Sequence, residues 1–148
     1  MNGASDFSLD NRLALCADFV RDGVKVADIG TDHAYLPVRL LLDGRIEYAI
    51  AADLREGPLS RARETAARYG VEGRISFRLC DGLSGVGREE ADTVAIAGMG
   101  GETIAAILSA APWTREGTRL LLQPMTRAEM AVILYNAITF TPTDPEGP

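Results

Sequence analysis

The sequence predicts an α/β fold, doubly wound about a mostly parallel sheet. Short β-rich apolar runs alternate with amphipathic stretches along the whole chain. The intervening helices are about ten residues or longer, the length a crossover between parallel strands needs, so helices should cover both faces of the sheet. The apolar runs also end, one after another, in a carboxylate, a glycine or an amide, and open parallel sheets bind ligands beyond those carboxyl ends.

Leu9, Leu13, Cys16 and Val20 recur at helical spacing behind Ser8 as N-cap, with Gly23 as the stop. Residues 24–29 form the first strand, ended by Gly30. A helix follows over about 36–43, with Pro37 in its first turn and Gly44 beyond its end. Residues 48–53 are a second strand, and Gly57-Pro58 opens a helix over 59–69 that Gly70 closes. The alternation continues with a strand at 74–79, a turn at Asp81-Gly82, a strand at 93–97 and a helix over 102–110. A strand at 119–122 and a helix from about Thr126 complete it. Five strands are expected, with a sixth near 137–141, and residues 139–148, rich in proline, read as a disordered tail.

The chain has 148 residues, 47% hydrophobic and 24% charged, which suits one domain over 1–148. No apolar run reaches about 18 residues, and Asp6 and Asp10 stand where a signal peptide carries positive charge, so neither membrane spanning nor secretion is expected. Cys16 and Cys80 lie far apart without a CxxC spacing, which fits a reducing, cytoplasmic setting. No histidine or cysteine pair has metal-ligand spacing, and no metal is expected. A net charge of −6 argues against holding nucleic acid by bulk electrostatics alone. Within 54–80 arginines outnumber glutamates, which reads either as a modest basic patch or as a solvated, ion-paired helix face.

The chemistry-bearing residues sit at the strand ends. Gly30 allows a tight turn and close backbone approach, and Asp28 can accept from loop amides or a cationic ligand group. Asp53 follows Asp28 near the roughly 20-residue offset at which a carboxylate receives a ribose diol. Asp81 is placed to accept from an adenine amine, and together these would hold an adenosine. A dinucleotide loop wants GxGxxG, yet Gly30 is followed by Thr31, Asp32 and His33, and Asp32 would repel a pyrophosphate. A ligand with adenosine and a positive or zwitterionic end, such as S-adenosylmethionine, suits the loop better. Plainer readings stand beside these: Asp53 as a loop cap, Asp81-Gly82 as a simple turn, and Gly98-Met99-Gly100-Gly101 as a close-packing device. A lone histidine such as His33 is commonly structural, and Met99 and Trp113 read as packing residues.

Asp-Ile-Gly-Thr-Asp-His-Ala-Tyr-Leu-Pro at 28–37, Gly57-Pro58-Leu59, Asp81-Gly82-Leu83, Ala97 through Gly101 and Leu122-Gln123-Pro124 resemble the TrmK family of bacterial tRNA (adenine-N1)-methyltransferases, which modify adenine 22 of tRNA. The resemblance covers about residues 8–127. It implies a class I, Rossmann-like fold, S-adenosylmethionine as cofactor and tRNA as partner. The implied cofactor-binding set is Asp28, Gly30, Thr31, Asp53, Leu54, Asp81, Gly82 and Gly98. The turn with Gly98, Met99 and Gly100 stands where related adenine methyltransferases grip the target base, and Asp32, His33 and Tyr35 complete the candidate catalytic set around it: Tyr35 to stack on or bond the base, Asp32 to accept from its amine or stabilise the positive charge developing on the ring, and His33 or solvent to take a surplus proton. Beyond Arg127 the likeness fades, and the family's last strands and its C-terminal helical domain are expected to be absent. Methyl transfer to another RNA or a small molecule, and cofactor binding without activity, are the alternative expectations.

Overall fold

The structure, a computed structural model, describes residues 7–125 and the strand at 133–136. Helix α1 spans Asn11–Asp18, strand β1 Val26–Ile29, α2 Tyr35–Leu42, β2 Ala49–Asp53 and α3 Glu56–Arg68. Then come β3 at Ile75–Leu79, β4 at Thr93–Met99, α4 at Gly101–Ser109, β5 at Arg119–Pro124 and β6 at Ile133–Asn136. The sheet order is β3-β2-β1-β4-β5-β6. Every neighbouring pair is parallel except β5 with β6, which is antiparallel.

The strand order reverses at β1, where the chain leaves for β2 on one side and β4 occupies the other. That switch point opens a crevice at the carboxyl edge. Side chains alternate across the sheet, as strand geometry requires. Val26, Ala49, Ala51, Ala95 and Leu121 face the layer that holds Leu36, Leu40 and Ala62. Ala27, Ile29, Ile50, Val94, Ile96 and Leu120 face the opposite layer with Ile104 and Ile107 of α4. The same alternation puts Asp28 on the Val26 face, at the edge where the crevice opens.

Several boundaries differ from the sequence reading. Helix α1 is capped by Asp10, whose Oδ1 accepts from the Leu13 amide at 2.8 Å, so Ser8 lies outside it. A carboxylate at the N-cap satisfies an orphan amide and faces the positive end of the helix dipole. Strand β4 runs on to Met99, through a register shift between Ala97 and Met99 that absorbs Gly98 at φ 81°. The sixth strand lies at 133–136, ahead of the 137–141 expected. The helix expected from Thr126 and the tail at 139–148 lie outside the described residues, apart from the strand at 133–136. No helix among the described residues is long and apolar enough to cross a membrane.

The arginines of 54–80 are largely engaged. Arg61 pairs with Asp32, Arg63 with Glu56 and Arg78 with Glu90. Arg78 grips both carboxylate oxygens of Glu90 and the Gly85 carbonyl, a bidentate hold that lowers the Glu90 carboxyl to about 2. Arg45 closes α1: its Nη1 donates to the Ala17 carbonyl at 2.9 Å, its Nη2 to the Val20 carbonyl, and its Nε to Asp22 at 3.0 Å. Replacing Arg45 with Ala leaves the Ala17 carbonyl with the Val20 amide alone and takes the guanidinium from the Val20 carbonyl and Asp22, and a loss of about 1.5–3 kcal/mol in urea unfolding is expected. Unchanged stability would show that water replaces the guanidinium at no cost.

Candidate functional site

Strand β1 ends in a buried carboxylate. Asp28 is 5% exposed, and its Oδ2 accepts from the Thr31 hydroxyl at 2.8 Å. Burial pushes its carboxyl up to about 7, the Thr31 hydroxyl opposes that, and the charges of Asp53 and Asp32 add to it. A carboxylate so placed favours a cationic neighbour.

The chain then turns at Gly30, with φ 74°, while the amides of Gly30 and Thr31 both donate to the Ala52 carbonyl of β2 at 2.9 and 3.0 Å. A Cβ at Gly30 would collide with Met99 Cε. Glycine takes the left-handed backbone without strain and leaves the tip of the Met99 side chain where it lies. Asp32 and Ala34 follow with φ of 54° and 61°, a conformation that costs non-glycine residues on the order of 1–3 kcal/mol each. The loop is held from β2: Asp53 Oδ2 accepts from the Asp32 amide and Oδ1 from the Arg55 amide, both at 3.2 Å. Asp32 itself pairs with Arg61 of α3 at 3.3 Å, in an exposed position where such a pair is weak.

The end of β3 leads through Cys80, whose amide donates to the Asp53 carbonyl at 3.0 Å, into the turn at Asp81-Gly82. The far wall comes from β4: Gly98 and Met99 in the strand, and Gly100 as N-cap of α4. These strand ends enclose a cleft of about 970 Å³, at the upper end of the roughly 300–1,000 Å³ typical of small-ligand sites. Every site residue expected from the sequence lines it: Asp28, Gly30, Thr31, Asp32, His33, Tyr35, Asp53, Leu54, Asp81, Gly82, Gly98, Met99 and Gly100.

Sequence reasoning missed a further wall. Asp10, Arg12 and Leu13 of the α1 region also line the cleft. Arg12 reaches it because Gln123 at the end of β5 anchors α1, with Gln123 Nε2 donating to the Arg12 carbonyl at 3.2 Å and Arg12 Nη1 donating back to Gln123 Oε1 at 3.4 Å. The guanidinium lies close over Gly98, where a Cβ would meet Nη1 at 3.2 Å. Gln123 is 1% exposed, so this pairing satisfies an amide that burial would otherwise penalise. Trp113, in a one-turn helix at Pro112–Arg115, packs on the α4 layer.

Residues 9–136 match a family model described as a methyltransferase domain. This chain belongs to that methyltransferase-domain family. It is 40% identical over 125 residues to the tRNA (adenine(22)-N(1))-methyltransferase of Bacillus subtilis, covering 84% of this chain and 52% of that protein. The crystal structure of the B. subtilis m1A22 tRNA methyltransferase TrmK superposes with a TM-score of 0.76 at 40% identity, over 80% of this chain and 51% of that one. The M. capricolum TrmK structure, in complex with S-adenosyl-homocysteine, gives a TM-score of 0.73 at 32% identity, over 80% and 53% of the two chains. The chain thus spans about half the length of the curated relative it matches. Among the described residues no cluster of three or more His, Cys, Asp or Glu could hold a metal ion.

Two outcomes are expected. Gly30→Ala should lower the melting temperature, and Met99→Ala in the same chain should restore part of the loss by removing the collision while the φ strain remains; no recovery would place the whole cost in the backbone. A native carboxyl near 7 binds more protons than the unfolded chain, so Asp28 contributes its full stability below about pH 4 and loses it as pH rises towards 7. Asp28→Asn should therefore gain stability over the parent across that interval, with a constant gap above it, as read by urea unfolding at stepped pH. A pH-independent gap would show that Asp28 titrates normally.

Proposed function

We propose that this chain binds S-adenosylmethionine and carries a methyl group to N1 of an adenine in tRNA, position 22 by likeness to its relatives, in the cytoplasm. The observation that carries the reading is the convergence of Asp28, Asp53 and Asp81, from three successive parallel strands, on one cleft beside the Gly30 turn. Three carboxylates there oppose a diphosphate and suit a cationic nucleoside, and the turn has no second glycine to cradle phosphate.

The chain's own residues then have these tasks. Asp53 accepts from the ribose hydroxyls and Asp81, at the Gly82 turn, from the adenine amine, with the exposed side chain of Leu54 alongside. Asp28, with Thr31 as its hydroxyl partner, faces the amino-acid end. Bound in that place, S-adenosylmethionine supplies an electrophilic methyl on a sulfonium. Gly98, Met99 and Gly100 hold the acceptor base on the far wall, and Asp32 accepts from its amine once Arg61 yields it. The acceptor N1 gains the N–C bond as the S–C bond breaks, and the positive charge passes from sulfur to the base. No proton need move, so neither a strong base nor His33 as proton sink is required. Positioning can supply most of the acceleration, since well-oriented intramolecular reactions reach effective molarities of about 10⁵–10⁸ M.

Methyl transfer from labelled S-adenosylmethionine to unmodified tRNA, with N1-methyladenine mapped in the product, tests the proposal; binding of S-adenosylhomocysteine without any transfer would reduce it to cofactor binding. Asp53→Ala should weaken S-adenosylhomocysteine by about 1.5–3 kcal/mol in calorimetry, and full affinity in a folded variant would remove the ribose assignment. Asp32→Ala should lower kcat well beyond any change in cofactor affinity, and the reverse pattern would move Asp32 into the cofactor pocket.

A further inference from the structure

Tyr35 is 40% exposed and lines the cleft, as His33 does, but its ring is already in contact with other rings of the chain. His33 and Tyr35 lie parallel, ring centroids 4.9 Å apart and interplanar angle 5°. Phe7 stands tilted against Tyr35, 5.7 Å away at 51°, and stacks in turn on Tyr69 at 4.8 Å. Tyr35 is thus engaged by two rings of its own chain. His33 is backed on one face by the phenol, is only partly buried, and lines the cleft.

The backbone around His33 supports the same assignment. Its two neighbours, Asp32 and Ala34, are the non-glycine residues with left-handed φ among the described residues, so His33 sits between two strained positions. Ala34 is fully buried and Asp32 hangs by its amide from Asp53. Strain of this kind persists where surrounding structure fixes it, and here its effect is to hold one imidazole against a fixed backing ring. A planar π surface rigidly presented at the rim of a site that takes a nucleoside is a stacking platform, since every base has a π face.

We propose that the acceptor adenine stacks on His33, with Tyr35 as the positioning residue that backs the imidazole, rather than on Tyr35 itself. This rests on the reading of the site as one for an adenine acceptor.

The chain holds a single histidine, so its imidazole proton resonances report on residue 33 without assignment. Adenosine titrated into the protein, with and without saturating S-adenosylhomocysteine, should move both carbon-bound ring protons upfield by the ring current of a stacked base, and ribose should not. Tyr35→Ala should shrink that shift and Tyr35→Phe should restore it, because backing needs a ring and no hydroxyl. With tRNA as acceptor, His33→Ala should raise KM or lower kcat by a combined factor of roughly 5 to 150, the range of one base-aromatic stack, and His33→Phe should recover most of it. Imidazole signals that stay put while adenosine is added overturn the proposal, as does a His33→Phe variant no better than His33→Ala. Calorimetry with S-adenosylhomocysteine reads the cofactor site separately: loss of that binding defeats the functional reading, while the adenosine titration still decides this one.

Discussion

Like charges brought together at one sheet edge set the terms for everything around the cleft. Asp28, Asp53 and Asp81 arrive there because parallel strands deliver their carboxyl ends to the same side, and the neighbouring structure accommodates each in its own way, burial outweighing the charges of Asp53 and Asp32 in what it does to Asp28. It does so unequally. Asp28 is buried and shifted towards neutrality, with Thr31 as partner. Asp53 remains at the surface of the cleft and spends its oxygens on backbone amides. Arg12, brought in by α1, and Arg61, on α3, add positive charge at the rim.

This arrangement also explains why glycine recurs on both walls. At Gly30 and Gly98 the chain takes left-handed φ, and in each case a foreign side chain already fills the space a Cβ would need: Met99 over Gly30, Arg12 over Gly98. The cleft floor is therefore made by close approach of β1, β4 and α1, with small residues at the contact points and long flexible side chains laid across them. Alanines on the Val26 face, Ala49, Ala51 and Ala95, let the helices of that layer approach the sheet closely.

Much of this was legible in the sequence because the informative signals are local. A β-rich run followed by Asp-Ile-Gly is enough to place Asp28 and Gly30 at a strand end, and Asp53 and Asp81 follow from the same pattern repeated. The α1 wall was not legible, since Arg12 depends on Gln123, a partner 111 residues away, and nothing in helical periodicity names it. Strand β4 was read two residues short because glycines ordinarily signal a turn, whereas here a bulge lets the ladder continue through them to Met99. The parallel stack of His33 on Tyr35 depends on the backbone at Asp32 and Ala34, whose left-handed angles no side-chain type announces.

The amide of Asp32 hanging from the Asp53 carboxylate ties the loop after β1 to the end of β2 within the cleft. Truncation at Asp53 thus alters two things at once: the acceptor atoms offered to a nucleoside sugar, and the tether of the neighbouring segment. Damage seen at the rim after such a change need not originate there. An isosteric amide, which keeps one carbonyl oxygen for the tether, is a cleaner genetic probe of the sugar contact than truncation.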